Sequence, residues 1–309
     1  MSKQVFCIMG PTASGKTALA IELVQRYPFE IISVDSAMIY REMDVGTAKP
    51  SQEELQKAPH HLIDIIDPIE SYSAARFCTD ALDLCKSIFA RNKIPLLVGG
   101  TMMYFNALQK GLSTLPEANE VIRQQIEAEA LAEGWGALHQ KLLSIDPQAG
   151  ARIHAHDAQR IQRALEVYYT SGTTLSELIN QQKNTSNYQF ANFSLFPQQR
   201  DWLHERIAQR FDLMLEAGVI DEVKGLKTKW AINNSLPSMR CVGYRQILEF
   251  LEGKDDYSTM RDKGIAATRQ LAKRQLTWLR HWDDVFVYDP QKKEFIAEII
   301  KKMHSLLDF

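Results

Sequence analysis

The residues whose types and spacing speak most directly of chemistry are Gly10-Pro11-Thr12-Ala13-Ser14-Gly15-Lys16-Thr17, which follow an apolar run, Val5 to Met9, and precede a helix-forming stretch, Ala18 to Arg26. Phosphate oxygens need several converging N–H donors. A loop with a glycine near each end can wrap its backbone amides round an anion, and the helix after it turns the positive end of its dipole to the same point. Lys16 then supplies a mobile positive charge and Thr17 a hydroxyl able to hold Mg²⁺. With a strand before it and a helix after it, the segment reads as a phosphate-binding loop (P-loop), and a phosphorylated ligand is expected there.

The loop leaves the fate of the phosphate open, since kinases, nucleotide hydrolases and some transferases share it. Asp35-Ser36 follows a second apolar run and would face the phosphate as a base or metal-shell ligand; a turn or helix-capping role competes. After Ile94 to Val98 comes Gly99-Gly100-Thr101, where two glycines permit close backbone approach and Thr101 can hydrogen-bond a nucleophile; a plain turn competes here too. An ATP hydrolase would normally end that apolar strand in Asp or Glu, so Gly-Gly-Thr counts against the class, with Asp64 and Asp67 left as substitutes. Arg206 and Arg210, one helical turn apart, can present two guanidinium groups to one phosphate or pair with Glu205 or Asp212.

These residues need a frame. Apolar runs at 5–9, 31–34, 62–65 and 94–98 alternate with helical stretches, the pattern of a parallel sheet with crossover helices. The expected fold is α/β: a P-loop NTPase-like parallel sheet core with a helical insertion domain. Residues 1–116 form the first part of the core and 117–187 the insertion, broken at Asp146-Pro147 and Ser171-Gly172. Residues 188–309 complete the core, with a strand at 190–196, helices from Asp201 through Trp282 and a last strand at Val285 to Tyr288. The polar stretch Gln181 to Asn187 reads as a mobile link. At 309 residues and 45% apolar the chain can fill a large core, and a net charge of −2 announces no polyanionic partner. Cys7, Cys78, Cys85 and Cys241 form no CxxC pair and no zinc-site spacing, so free, mostly buried thiols of a reducing compartment are expected. With no targeting segment and no membrane-length apolar run, a cytoplasmic protein without a membrane partner is expected.

The strings GPTASGKT (Gly10 to Thr17), Ser33-Val34-Asp35-Ser36, Tyr40, Gly46 to Pro50, Pro59-His60-His61-Leu62, Gly99-Gly100-Thr101, Arg160 to Glu166, Cys241 to Tyr244, Thr268 to Gln275 and Thr277-Trp278 occur in order along nearly the whole chain. In them the chain resembles the bacterial tRNA dimethylallyltransferases. No Cys/His cluster like the zinc-finger extension of eukaryotic relatives occurs before Phe309, so the bacterial type is expected.

The resemblance implies transfer of a dimethylallyl group from dimethylallyl diphosphate to N6 of adenine 37, in the anticodon stem-loop of tRNA, with Mg²⁺; separately from the resemblance, a monomer is expected. Gly10, Pro11, Thr12, Ala13, Ser14, Gly15, Lys16 and Thr17, with Arg210, would then hold a leaving diphosphate. Asp35 would accept the amino proton, Thr101 would orient the nucleophile and Thr17 would hold the metal. It also implies RNA contacts at Asp35, Ser36, Ala37, Met38, Thr101, Arg123, Gln159, Arg160, Ile161, Gln162, Arg163, Arg240, Cys241, Val242, Gly243, Tyr244, Arg245, Lys273, Arg274 and Arg280. Many relatives carry Gln where this chain has Met38, so apolar or backbone contact replaces a polar one there. On helical spacing Arg269, Lys273 and Arg280 share one side, and a solvated face is the competing reading of that stripe. Trp278 and Trp282 read as packing residues.

Overall fold

A computed structural model describes residues 3–111, 115–181 and 188–307. The first part of the chain runs β1 (Lys3–Met9), α1 (Lys16–Arg26), β2 (Phe29–Val34), α2 (Gln52–Lys57), β3 (His60–His61), α3 (Ala74–Ala90), β4 (Ile94–Gly99) and α4 (Met102–Lys110). Five helices follow: α5 (Glu120–Glu133), α6 (Trp135–Ile145), α7 (Pro147–Arg152), α8 (Ala158–Ser171) and α9 (Leu175–Asn180). Next come β5 (Tyr188–Leu195), α10 (Arg200–Glu216), α11 (Val219–Lys229), a 3-10 turn at Ser238–Arg240, α12 (Tyr244–Leu251), α13 (Tyr257–Arg280), β6 (Val285–Tyr288) and α14 (Phe295–Leu306).

The chain divides into two compact units, Met1–Asn106 with Asn187–Phe309, and Ala107–Ser186. In the first, six parallel strands form one sheet in the order β3-β2-β4-β1-β5-β6. β1 lies inside it, and Val5 to Met9 are wholly buried, which is why that run is continuously apolar instead of alternating. Phe6, Phe29 and Phe193 pack around it at ring separations of 5.3 and 6.1 Å. Register sets Met9 beside Gly99 and Ser194, and Gly99 beside Val34. The chain therefore leaves β1, β2, β4 and β5 at one level, at their carboxyl ends, where open α/β sheets bind ligands. Gly99 permits this closeness, because a Cβ there would lie 2.0 Å from the Val34 carbonyl oxygen.

The third strand differs from expectation. It is His60–His61 and not 62–65, because Leu62 and Asp64 turn into the left-handed region at φ +62 and +56°, which no strand tolerates. The apolar run instead packs against residues 38–40, through Ile65 N–H to the Ile39 carbonyl at 2.9 Å. α14, which the sequence reading did not anticipate, covers the sheet with Ile299 and Met303.

In the second unit, Ile126, Leu138, Leu142, Ile161 and Leu165 fill a core of their own. Both expected breaks are helix caps: Asp146 accepts from the Ala149 N–H ahead of Pro147, and Gly172 takes φ +69° after α8. Of the link expected over Gln181 to Asn187, Gln181 caps α9 and 182–187 lie outside the described residues. Among the described residues no helix is long and apolar enough to cross a membrane; Cys78, Cys85 and Cys241 are free thiols, and Cys7 and Cys85 are buried.

Candidate active site

The loop between β1 and α1 takes its shape from three residues. Gly10 has no room for a side chain, since a Cβ would meet Ser14 Oγ at 2.8 Å; Ala13 and Gly15 bend into the left-handed region at φ +62 and +93°. Gly15 caps α1 without a side-chain bond, so the first N–H groups of α1 point out unpaired by any cap. Ser14 Oγ is buried with no hydrogen-bond partner among the described residues. Lys16 Nζ donates to the Pro11 carbonyl at 2.6 Å. Burial, and then the neighbouring Arg210, pull the Lys16 ammonium down to about 7 against the raising effect of Asp35.

Thr12, Lys16 and Thr17 open onto a cavity of about 560 Å³, lined also by Asp35 to Met38 after β2, by Gly99 to Thr101 after β4 and by Arg210 on α10. Asp35 Oδ1 accepts from the N–H groups of Ala37 at 2.8 Å and Met38 at 3.4 Å. The turn reading of Asp35 therefore holds for Oδ1, and the residue also lines the cavity. Thr101 Oγ1 accepts from the Ser36 N–H at 3.1 Å, which ties the ends of β4 and β2 together.

The two arginines divide the work. Arg206 Nε donates to the Ala13 carbonyl at 2.9 Å and its guanidinium lies over the Trp202 ring at 4.8 Å, bracing the loop from behind. Arg210 faces the cavity, where burial lowers its pKa and Asp35 opposes that. Asp212 is held by Arg261 at 2.6 and 2.7 Å, so the ion-pair alternative fails for it. Asp64 pairs with Lys49 at 2.5 Å and Asp67 with Arg41 at 2.9 Å, and neither lines the cavity, so neither replaces the missing hydrolase carboxylate.

The wall on the other side comes from Arg240 to Tyr244 and from α13 through Thr268, Leu271, Arg274, Gln275 and Trp278. Tyr244 donates to Glu222 at 2.5 Å, and Glu222 also accepts from the N–H groups of Asp44, Val45 and Gly46, which pins the loop after β2 to α11 and α12. Burial and then Asp35 push the Cys241 thiol up to about 12, which makes it an uncharged wall residue and not a nucleophile. Ile207, Phe211, Met214 and Ile247 make part of the lining apolar.

Several sequence-derived sites lie elsewhere. Arg245, Lys273 and Arg280 are exposed and do not line the cavity. The stripe loses Arg269, which is half-buried against α10, its Nη2 3.5 Å from the His204 carbonyl; Trp278 is 44% exposed on the cavity wall instead of packed. In the second unit Arg123 and Arg163 converge on Glu166, fully buried, at 2.9 and 2.7 Å. Burial alone would raise Glu166, but bonds from Arg163, the Asn119 N–H and Arg123 outweigh it and hold the carboxyl below its ordinary value. Arg160 is exposed, whereas Ile161 is a wholly buried core residue whose side chain cannot reach an RNA surface. Gln159 is exposed, and Gln162 donates to Glu127 at 3.0 Å.

Gln275, which the sequence offered only as the end of the string Thr268 to Gln275, bridges two loops: its Oε1 accepts from the Thr12 N–H and its Nε2 donates to the Gly100 carbonyl, both at 2.9 Å.

The IPP transferase family model matches residues 38–282, and the isopentenyl transferase model residues 3–67. A tRNA dimethylallyltransferase of Legionella pneumophila (strain Corby) is 67% identical over 308 residues, covering 100% of this chain and 98% of that protein. One from Coxiella burnetii (strain RSA 493 / Nine Mile phase I) is 53% identical over 309 residues, covering 99% of each. Among solved structures, the tRNA isopentenylpyrophosphate transferase of Bacillus halodurans superposes with a TM-score of 0.73 at 37% identity, covering 99% of this chain and 96% of that one. A eukaryotic dimethylallyltransferase described as acting on tRNA gives a TM-score of 0.82 at 27% identity, covering 99% and 79%.

Proposed function

The chain belongs to the tRNA dimethylallyltransferases of the IPP transferase family, and from that premise we propose that it transfers a dimethylallyl group from dimethylallyl diphosphate to N6 of adenine 37 in tRNA, releasing diphosphate. It is an enzyme, a prenyltransferase. The observation that carries the reading is one cavity lined by Lys16, Arg210, Asp35 and Thr101 together with an apolar wall that suits a five-carbon group.

Breaking the allylic C1–O bond builds negative charge on the leaving diphosphate. Lys16, Arg210, the Ser14 hydroxyl and the free amides at the start of α1 would hold that charge more tightly as it develops, which is the differential binding that lowers a barrier. The departing anion would also restore the Lys16 ammonium to full protonation. Adenine N6 is a weak nucleophile, and the carboxylate oxygen of Asp35 not used by the turn would accept its proton as the new N–C bond forms. Thr101, held by Ser36, would orient the amino group. The adenine must leave its stack in the anticodon loop to reach this depth.

No cluster of three or more His, Cys, Asp or Glu side chains able to hold a metal occurs among the described residues. The donor set fits a Mg²⁺ shared with substrate phosphates through the Thr17 hydroxyl, the usual habit of that ion. When bound, it would neutralise charge on the diphosphate.

The test is to incubate the purified chain with Mg²⁺, dimethylallyl diphosphate and an unmodified anticodon stem-loop carrying adenines at positions 36 to 38, and to weigh the RNA. A gain of one dimethylallyl group supports the reading. No gain, with intact tRNA as well, sinks it.

A further inference from the structure

The two halves of the proposed reaction stand on different strand ends: the leaving diphosphate on the loop after β1, the nucleophile beside Thr101 after β4. Gln275, 8% exposed on α13, touches both. Its orientation is unambiguous, because the Thr12 N–H can only donate and the Gly100 carbonyl can only accept, so Oε1 faces the first and Nε2 the second. Among side chains of this length only a carboxamide meets both demands. Glutamate would set a charged oxygen against the Gly100 carbonyl, and leucine would satisfy neither group. Gly100 is shaped to this contact, since a Cβ there would lie 2.3 Å from Gln275 Nε2.

We infer that Gln275 is a positioning residue for the transfer, locking the phosphate loop to the end of β4 so that one side chain fixes the separation between the leaving diphosphate and the nucleophile. The inference rests on the prenyl-transfer reading. Its physical basis is that a displacement needs attacking and departing atoms held in line at near-contact distance, and a misplacement of about 1 Å can cost about a hundredfold in rate. Because Arg274 and Trp278 of the same helix line the cavity, RNA seated against α13 would also draw on this lock.

The test uses the full chain and compares wild type with Gln275→Leu and Gln275→Glu in three measurements: affinity for inorganic diphosphate, thermal stability, and single-turnover transfer from pH 5.5 to 8. Gln275→Leu is expected to slow transfer about twentyfold or more while diphosphate affinity changes less than about threefold, the signature of lost geometry without lost binding. Gln275→Glu is expected to be as slow near pH 8 and to recover about fivefold relative to wild type by pH 5.5, when its protonated carboxyl donates to Gly100 again. Lys16, Asp35, Arg210 and Arg274 line the same cavity, so Gln275→Leu, which adds no titrating group, is the control: its ratio to wild type is expected to stay flat over the same pH range. If Gln275→Leu does not fold, Gln275→Glu carries the test alone. Rates within about threefold of wild type in both variants, a rate loss matched by an equal loss of diphosphate affinity, or a ratio of Gln275→Glu to wild type that is flat in pH would each overturn the inference. A wild type that transfers nothing overturns the proposed function first, and this inference with it.

Discussion

At the scale of single residues, the sequence alone pointed to groups whose chemistry is local. Gly10 to Thr17 is a contiguous string, and its conformational demands can be read from glycine and lysine types alone. Asp35 and Thr101 were legible as strand-end residues, but the sharing of Asp35 between a turn and the cavity required the positions of the Ala37 and Met38 amides. Gln275 was not legible, because its role depends on how α13 packs 263 positions along from Thr12. Lys16 yields a prediction with a definite sign. Its pKa of about 7 lies below the ordinary 10.5, so between those values the unfolded chain binds more protons than the folded one. The ligand-free protein is therefore penalised most below pH 7, and the penalty fades as pH rises toward 10.5. Ligand-free Lys16→Met is expected to melt above wild type at pH 6, with the gap narrowing by pH 9, and to have no transfer activity; melting below wild type at both pH values would refute this. Arg210→Leu is expected to weaken inorganic diphosphate binding roughly tenfold to a hundredfold, the size of one or two charge-assisted hydrogen bonds, as a titration would show.

Elements were readable where periodicity and burial agreed. β1 and β4 are continuous apolar runs because both faces are covered, and the breaks at Asp146 and Gly172 are caps with a sequence signature. The segment 62–65 looked like a strand because its composition is apolar and β-branched, but composition does not report φ, and two left-handed residues end any ladder. Packing between elements leaves sharper traces in glycine. A Cβ on Gly264 of α13 would lie 2.1 Å from Cζ of Phe211 on α10, a residue that also lines the cavity. Gly264→Ala must push that ring aside or part the helices, and is expected to lower stability by about 1–3 kcal/mol in urea unfolding. An unchanged unfolding midpoint would show that the α10–α13 contact yields more readily than its distances imply.

For the molecule as a whole, the order of motifs along the chain made the family legible, while the overall charge of −2 concealed where an RNA would touch. The basic residues are local: Arg240 and Arg274 at the cavity, Lys273 and Arg280 exposed on α13, and Arg160 exposed in the second unit. Arg123 and Arg163 answer mainly to Glu166; the Arg163 pair is one helical turn apart and readable from spacing, whereas Arg123 reaches Glu166 from 43 positions away, which spacing could not announce. If the exposed set meets phosphates, affinity for an anticodon stem-loop falls about tenfold or more between roughly 50 and 200 mM salt, and Arg160→Glu makes that dependence shallower. Affinity indifferent to salt would send the RNA surface elsewhere. The central claim is that Asp35 takes the proton while the loop holds the leaving group, and the most direct measurement is single-turnover transfer by wild type and Asp35→Asn, with inorganic diphosphate affinity measured on the same samples. The account predicts unchanged affinity and a rate lower by about 10²–10⁴ for Asp35→Asn; transfer at the wild-type rate without that carboxylate would contradict it.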